Sequence, residues 1–286
     1  MDEPKVDFVL NVFRRPESIA SQIEAIRSQT FAPNEIFIWE NGEARVPEHL
    51  ADQVTVVRAN RNLGVWSRFT LALNSKADFI CMLDDDTIPG PKWIQNCLSS
   101  MSLEEGLYGT RGLIFDSKFS YSLNSDVGLH KPNNSIQRVD IVGHAWFFRR
   151  QWLGEYWSEY KNAFPEDLAG EDIHFSYALQ KHLGLPTLVP PHPADDLEMW
   201  GSQPETAKSL GGSDVAISKG AKSMDKFERA LRHYRSKGFR VLSELPGVTV
   251  PKRHNLFVYL VVGRNSSSLH RLAKVIRRFR KGTSNR

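Results

Sequence analysis

The sequence has 286 residues, 41% of them hydrophobic and 24% charged, and carries a net charge of +4. This length and balance predict a globular protein with a large core and exclude a chain that is disordered throughout. We find neither a secretory leader nor an apolar run of about 20 residues, and therefore expect a cytoplasmic protein without a membrane-spanning helix. The two cysteines lack CxxC spacing, which predicts reduced core thiols and argues against a zinc site.

The positive charge is concentrated at the C-terminal end. Residues 264–286 contain eight lysines and arginines and no acid, so residues 1–263 carry a net charge of −4. This distribution argues against a nucleic-acid-binding groove across the body. Five apolar residues of the tail share one helical face, namely Leu269, Leu272, Val275, Ile276 and Phe279. The tail is therefore predicted to be a basic amphipathic helix that contacts an anionic membrane surface. The alternatives are an ordinary helix packed on the body, a solvated tail, or a contact with nucleic acid or a partner protein.

Strand-like and helix-like patterns alternate in the first half of the chain. Apolar, β-branched runs predict four strands, at Val6–Phe13, Glu35–Glu40, Val54–Ala59 and Phe79–Leu83. Apolar residues at helical spacing predict helices at Pro16–Ser28, Gly64–Asn74 and Gly90–Met101. This alternation predicts βαβ units and a mostly parallel sheet, with a ligand beyond the carboxyl ends of its strands.

The second half of the chain has a less regular pattern. Arg138–Phe148 predicts a strand or a strand pair, and Leu185–Pro191 predicts a short strand. Helices are predicted at Glu171–His182 and Ser223–Lys237. The intervening segment Ala194–Lys222 is rich in Gly, Ser, Asp and Pro, which predicts a long mobile loop. Such a loop, around Gly211-Gly212, could close over a ligand and exclude water.

Three consecutive aspartates, Asp84, Asp85 and Asp86, follow the predicted strand Phe79–Leu83. Their mutual repulsion would be relieved by a divalent cation, and carboxylate oxygens suit Mg²⁺ or Mn²⁺. In an extended chain Asp84 and Asp86 would face one side and Asp85 the other. The alternative interpretation is an acidic turn that caps the helix after it.

Three other groups are candidates for binding or catalysis. Glu171 and Asp172 open a predicted helix, where acids either complement the helix dipole or act as a general base toward a hydroxyl. The segment Asn60–Gly64 precedes another predicted helix, where backbone N–H groups with Arg61 or Arg68 would suit a diphosphate. His192, within a proline-rich segment, is either a further metal ligand or a loop residue.

Five segments, in order along the chain, resemble the GT-A-fold glycosyltransferases of the family 2 and exostosin-like types. They are RRPESIASQIEAIRSQTFAPNEIFIWENG, NRNLGVWSRF, LDDDT, VDIVGHAWFFRRQWL and GEDIHFSYAL. The third is similar to the DXD motif of that group, and the last to the Glu-Asp pair of the exostosin-like enzymes. DXD alone is a common motif, so the resemblance depends on the order of all five segments, which span roughly residues 5–195.

The resemblance implies an α/β protein of the GT-A class, with a Rossmann-like nucleotide-sugar-binding sheet that is mostly parallel and a smaller acceptor-side mixed sheet. It implies one catalytic domain at 1–263, with a donor half at about 1–105 and an acceptor half at about 106–263, before the tail at 264–286. The implied reaction moves a hexose or N-acetylhexosamine from a nucleoside-diphosphate sugar, with UDP-sugars favoured, to a hydroxyl of a glycan or lipid-linked glycan. Mn²⁺ or Mg²⁺ is the implied cofactor, and surface polysaccharide synthesis is the implied pathway.

The resemblance also implies roles for individual residues. Asp86 would bind the metal that bridges the diphosphate, while Asp84 would contact the ribose or uridine with Asp85 in support. Arg68 would lie near the nucleotide or the phosphates. The remaining donor contacts would come from Phe13, Arg14, Asn41, Asn60 and Arg61.

Asp172 would be the catalytic carboxylate on the acceptor side, with Glu171 beside it. Family 2 enzymes mostly invert the anomeric centre and exostosin-like enzymes retain it. Because the sequence resembles both, the stereochemistry stays open.

Other classes of protein fit the sequence less well. An aspartate-based phosphohydrolase also has Asp-x-Asp after an apolar strand, but usually after its first strand rather than its fourth. A sugar nucleotidyltransferase needs a glycine-rich loop after the first strand, where NVFRRPES has no glycine. A non-catalytic carbohydrate-binding protein is a further alternative, against which the intact Asp84, Asp86 and Asp172 argue.

Overall fold

A computed structural model of the protein describes residues 3–115, 124–165, 169–205 and 221–245. The predicted amphipathic tail at 264–286 and the glycines Gly211-Gly212 lie outside these ranges. None of the helices in the described part combines the length and the apolar character that a bilayer span requires.

The described residues form nine strands in one sheet. The strands are β1 (Val6–Val12), β2 (Ile36–Asn41), β3 (Thr55–Ala59), β4 (Phe79–Leu83), β5 (Leu107–Phe115), β6 (Asn124–Gly128), β7 (Gln137–Val139), β8 (Ile141–Arg149) and β9 (Thr187–Val189). The helices are α1 (Ser18–Arg27), α2 (Glu48–Ala51), α3 (Ser67–Ala72), α4 (Trp93–Leu103), α5 (Leu153–Ser158), α6 (Glu171–Leu183) and α7 (Ala221–Ser236).

The strand order is β3-β2-β1-β4-β8-β5-β9-β7, with β6 paired to β5. The first four strands are parallel to one another, and β1 and β4 are almost entirely buried because helices cover both faces. Chain order reverses between β1 and β4, which makes their carboxyl ends a topological switch point. The predicted α/β class and the parallel arrangement of the first four strands are confirmed. The strands of the second half are mixed, as predicted, and continue the same sheet.

The antiparallel pairing of β8 with β4 brings the second half of the chain to the switch point. Leu83 pairs with Ala145, so the end of β4 lies beside His144. The sequence predicted a strand or strand pair at Arg138–Phe148, and the structure has the pair β7 and β8.

The central strand β5 was missed because its glycines conceal the apolar pattern. A Cβ at Gly109 would lie 2.4 Å from the Cβ of Val142, and one at Gly112 would lie 2.4 Å from Val139. These distances are far below van der Waals contact, so glycine lets β8 and β7 approach β5 closely.

The prediction of a mobile loop at Ala194–Lys222 is partly wrong. The described residues 194–205 are anchored on the body, where Trp200 is buried and its carbonyl accepts a hydrogen bond from Gly90 N at 2.8 Å. The composition of this segment suggested mobility, but its aromatic and turn residues hold it against α4. The rest of the predicted loop, up to residue 220, lies outside the described ranges.

Candidate functional site

The carboxyl ends of the four parallel strands bring most of the predicted donor-side residues to one edge of the sheet. Phe13 and Arg14 follow β1, Asn41 ends β2, Asn60 and Arg61 follow β3, and the aspartates follow β4. The parallel strand order alone explains this grouping, since parallel strands end on the same side.

The aspartates form a turn rather than an extension of the strand. Thr87 N donates to Asp84 O at 3.1 Å, and the side chain of Gln22, on α1, donates to the carbonyls of Asp84 and Thr87 at 2.7 and 2.9 Å. Asp84 and Asp86 contribute oxygens to one cluster with His144, whereas Asp85 pairs with Arg15. A turn, instead of strand alternation, produces this arrangement.

Arg15 fixes the middle aspartate. Its guanidinium donates to Asp85 at 2.5 Å and lies 3.5 Å from Asp86, although the Arg15 side chain is itself buried. Burial raises the pKa of Asp85 to about 6 despite the opposing charge of Arg15. Asp85 is thus held by protein groups and is less available to a ligand than its neighbours.

Asp84, Asp86 and His144 form a candidate cation site. One ligand atom from each residue lies within 4.8 Å of the other two. His144 occupies this position with a positive φ of 65°, which is strained for a residue with a Cβ. Its carbonyl accepts hydrogen bonds from Asp84 N and the Thr87 hydroxyl, each at 2.9 Å, and these bonds hold the conformation.

This cluster fits a divalent cation in its chemistry. Asp86 Oδ1 is buried without a hydrogen-bond partner among the described residues, and the imidazole of His144 is 3.5 Å from it. Burial alone would raise the pKa of Asp86, but His144 and Arg15 outweigh burial and hold it below its usual value. Two carboxylates with one imidazole suit Mn²⁺ and, through the carboxylate oxygens, Mg²⁺.

The structure does not place His192 in this cluster. Its Nδ1 donates to Pro190 O at 2.8 Å, and its Nε2 is 3.0 Å from the Thr110 hydroxyl. Burial lowers the pKa of His192 to about 4, so the ring is neutral and both nitrogens are used within the fold. Among the described residues, His144 and not His192 thus lies with Asp84 and Asp86, contrary to the expectation that His192 is a metal ligand.

Arg68 connects the two groups of acids. This buried guanidinium donates to Asp84 and, at 3.2 Å, to Glu171, and it also lies 4.3 Å over the ring of Trp146. Gly170, with φ of +93°, lets the chain turn sharply into α6 and so places Glu171 in its first turn. Arg68 was predicted to lie near the nucleotide or phosphates, and the structure places it between two carboxylates.

Glu171 and Asp172 both have perturbed acidity. Burial raises the pKa of Glu171, although Arg68 opposes this effect. Burial and the neighbouring Glu171 raise the pKa of Asp172 to about 8. Asp172 Oδ1 accepts a hydrogen bond from the following backbone N–H of Ile173 at 2.7 Å. A carboxylate with this pKa can take up a proton near neutral pH.

Of the remaining residues predicted to contact the nucleotide, Asn41 is hydrogen-bonded within the fold, whereas the others are partly or fully exposed. Asn41 donates to Asn62 and Gly64 and accepts from Leu63 N at 2.7 Å, so its amide shapes the loop after β3. Phe13 is partly exposed with the exposed Arg14 stacked over its ring at 4.9 Å. Asn60 and Arg61 are exposed.

Sequence reasoning missed three residues of the site, namely Arg15, Gln22 and His144. Arg15 stands next to the predicted Arg14, and Gln22 lies on the predicted first helix. Their partners are more than 60 positions away, so spacing alone cannot reveal these contacts. His144 lies in a segment that carried the resemblance, but the register of β4 with β8 is needed to bring it to Asp86.

Two solved structures match the chain at low sequence identity. The crystal structure of S. aureus TarS 1-349 in complex with UDP matches with a TM-score of 0.48 and 12% identity, over 65% of this chain and 57% of that one. The crystal structure of S. aureus TarS gives the same score and identity, over 65% of this chain and 35% of that one. The chain thus spans little more than half of the first protein and about a third of the second.

A comparison of the sequence with family models gives a match that covers more than half of the chain. No curated protein matches the sequence. The model for glycosyl transferase family 2 matches residues 7–157, which include most of β1, all of β2 to β4, the aspartate turn, His144 and most of α5. The chain therefore belongs to glycosyl transferase family 2.

Proposed function

We propose that the protein is a metal-dependent glycosyltransferase that uses a nucleoside-diphosphate sugar as donor. The observation that carries the proposal is the cluster of Asp84, Asp86 and His144 within 4.8 Å at the switch point of the sheet. Family membership supports glycosyl transfer. A hydroxyl of a glycan or lipid-linked glycan is the proposed acceptor, and UDP-sugars are the first donors to test.

The donor-side residues divide the work of holding the nucleotide sugar. Asp84, Asp86 and His144 would hold Mn²⁺ or Mg²⁺, which when bound neutralises charge on the leaving diphosphate. Arg15 and Gln22 keep the aspartate turn in place before the donor arrives. Because the turn is already in place, the aspartates need little rearrangement when the metal and the donor bind.

The exposed residues at the ends of β1 and β3 would contact the nucleoside. Phe13 offers an aromatic face for the base, and Arg14, Asn60 and Arg61 offer donors to the ribose or diphosphate. Asn41 would position the loop after β3 instead of contacting the ribose itself, because its amide is hydrogen-bonded to that loop.

Asp172 is the proposed base on the acceptor side. It takes the proton of the acceptor hydroxyl as that oxygen bonds to the anomeric carbon and the diphosphate leaves, which inverts the centre. Arg68 keeps the neighbouring Glu171 paired, so Asp172 is the acid left without a cationic partner of its own among the described side chains. A retaining reaction, as in the exostosin-like enzymes, would instead use Asp172 to stabilise an oxocarbenium-like centre.

The test is a thermal-shift panel of nucleotide sugars with and without Mn²⁺, followed by measurement of sugar transfer to simple glycoside acceptors. A specific donor with Mn²⁺ should raise the melting temperature, because ligand binding to the native state stabilises it. Release of inorganic phosphate from a phosphomonoester would favour the phosphohydrolase. No shift with any nucleotide sugar would contradict the proposal.

A further inference from the structure

Three aromatic side chains form a partly exposed cluster, here called the aromatic platform, made of Trp66, Trp157 and Tyr160. The rings of Trp66 and Tyr160 lie 6.2 Å apart edge to face, and those of Trp157 and Tyr160 lie 5.5 Å apart. Tyr160 is 58% exposed, whereas both tryptophans are partly buried against the main core. The platform is therefore anchored on its inner side and open to solvent on the other.

The platform lies beside the acceptor-side carboxylates. Trp66 immediately precedes α3, two residues before Arg68, which bonds Glu171 at 3.2 Å. The ring of Trp66 is also 5.0 Å from the ring of His174, which is three residues after Glu171 and two after Asp172. This ring contact places Trp66 beside the N-terminal part of α6.

Exposure of Tyr160 is unusual within this fold. Many large aromatic side chains of the described part are fully buried, including Trp93 and Trp146, and Tyr160 is the aromatic one among the exposed large hydrophobic residues there. A single exposed hydrophobic residue needs no explanation, but three contiguous rings beside a polar site indicate a binding surface.

We propose that the aromatic platform binds a pyranose ring of the acceptor, stacked on Tyr160 and Trp66. A pyranose has an apolar face of C–H groups and an edge of hydroxyls, which matches aromatic rings adjacent to carboxylates. The tryptophans have few rotamers to lose and are already packed, so binding requires little ordering. The inference rests on the proposed function, because it places the acceptor against Asp172.

The test measures glycoside binding without any donor. Methyl β-D-glucopyranoside, methyl β-D-galactopyranoside and methyl N-acetyl-β-D-glucosaminide are titrated against the full chain and followed by saturation-transfer NMR. The unaltered protein should bind at least one of the three, with the strongest transfer to its ring C–H protons. Tyr160→Ala should weaken this binding about tenfold, which corresponds to the loss of one aromatic contact.

Two control variants separate stacking from general damage. Tyr160→Phe keeps the ring and should bind like the unaltered protein, and Leu103→Ala removes another exposed side chain, 81% exposed, and should also bind normally. Equal binding by Tyr160→Ala and the unaltered protein, or no binding of any of the three glycosides, would overturn the inference.

Donor hydrolysis distinguishes this inference from the proposed function. Release of UDP from a UDP-sugar in water needs no acceptor, so its rate in the unaltered protein tests the proposed function without the aromatic platform. Normal hydrolysis with unchanged glycoside binding in Tyr160→Ala refutes the platform alone. Absence of hydrolysis and of nucleotide-sugar binding in the unaltered protein refutes the proposed function instead.

Discussion

Arg68 is the residue on which the arrangement of acids in the site most depends. It is a buried cation between Asp84 and Glu171 and lies over Trp146. Burial would lower its pKa, but the two carboxylates outweigh burial and raise it, so it stays charged. Removal of this cation would leave Glu171 buried without a counter-charge, which is a costly state.

We predict that Arg68→Gln lowers the free energy of unfolding by about 2–4 kcal/mol. We expect a loss in the lower part of this range, because the Asp84 side chain is partly exposed and water can stabilise its charge when Arg68 is removed. The double variant Arg68→Gln/Glu171→Gln should recover part of the loss, since it removes the unpaired acid as well. Urea unfolding of both variants measures the effect, and a loss below about 1 kcal/mol in the single variant would contradict the ion-pair account.

Asp172 gives the second prediction at the residue scale. Asp172→Asn should leave donor binding intact but lower the transfer rate by about 10²- to 10⁴-fold, because the amide cannot accept the acceptor's proton. Asp195→Asn, at an exposed position, is the matched control. Full turnover by Asp172→Asn would remove its catalytic role.

The pH dependence of transfer follows from the same residue. The pKa of Asp172 is raised to about 8, so the carboxyl is protonated below that pH and the base form appears as pH rises through it. We expect transfer to increase between about pH 7 and 9, with its midpoint near the pKa of Asp172, and to level off above. A rate independent of pH over this range would argue against Asp172 as the base.

At the scale of elements, the contact of β5 with β8 positions the metal cluster. Gly109 lies where β5 shifts register against β8, and β8 carries His144 at the end of β4. A Cβ at Gly109 would lie 2.4 Å from Val142 Cβ and 2.7 Å from the carbonyl of Ala145. Backbone, and not only side chains, would have to move to admit it.

We predict that Gly109→Ala lowers the free energy of unfolding by about 1–3 kcal/mol, as overpacking of a core does. It should also weaken Mn²⁺ binding, because β8 is displaced. Gly154→Ala is the matched control, since no atom lies within 4 Å of its added Cβ and alanine favours its helix. Chemical unfolding and Mn²⁺ titration of both variants measure these effects. If Gly109→Ala were as stable as Gly154→Ala, β5 would tolerate a side chain at position 109.

The sequence predicted those elements whose pattern is local. The run Phe79–Leu83 is continuously apolar because both faces of β4 are covered, and its bounds agree with the structure. Strand β5 has glycines in place of part of its apolar pattern, so local periodicity did not reveal it. The site shows the same limit, because Asp84–Asp86 was found by a local motif while Arg15 and His144 depend on distant pairing.

At the scale of the whole molecule, opposite charges are separated along the chain. Residues 1–263 carry −4 and residues 264–286 carry +8. The tail lies outside the described residues, and its contact with an anionic membrane surface, at the cytoplasmic face, stays a proposal based on its sequence. That location would give a lipid-linked acceptor access to the enzyme.

We predict that truncation after Val262 lowers binding to vesicles that contain anionic phosphatidylserine or phosphatidylglycerol. Binding of the full-length protein to these vesicles should fall as the salt concentration is raised, because surface charges are screened. Co-sedimentation with anionic and with neutral vesicles measures both effects. Equal co-sedimentation of the two proteins would mean that the tail does not bind membranes.

The parallel strands, the antiparallel return of β8 and the start of α6 converge on one edge of the sheet, where the proposed donor and acceptor meet. The central claim is that Asp86, with Asp84 and His144, holds a divalent cation for the donor diphosphate. The claim depends on a cluster assembled from two distant parts of the chain.

Calorimetric titration of UDP with and without Mn²⁺ tests this claim most directly. Mn²⁺ should strengthen UDP binding to the unaltered protein and to Asp52→Asn, an exposed control, by about tenfold or more. Asp86→Asn should bind UDP equally with and without Mn²⁺. If Asp86→Asn kept the full Mn²⁺-dependent affinity, Asp86 would not be part of a metal-diphosphate site.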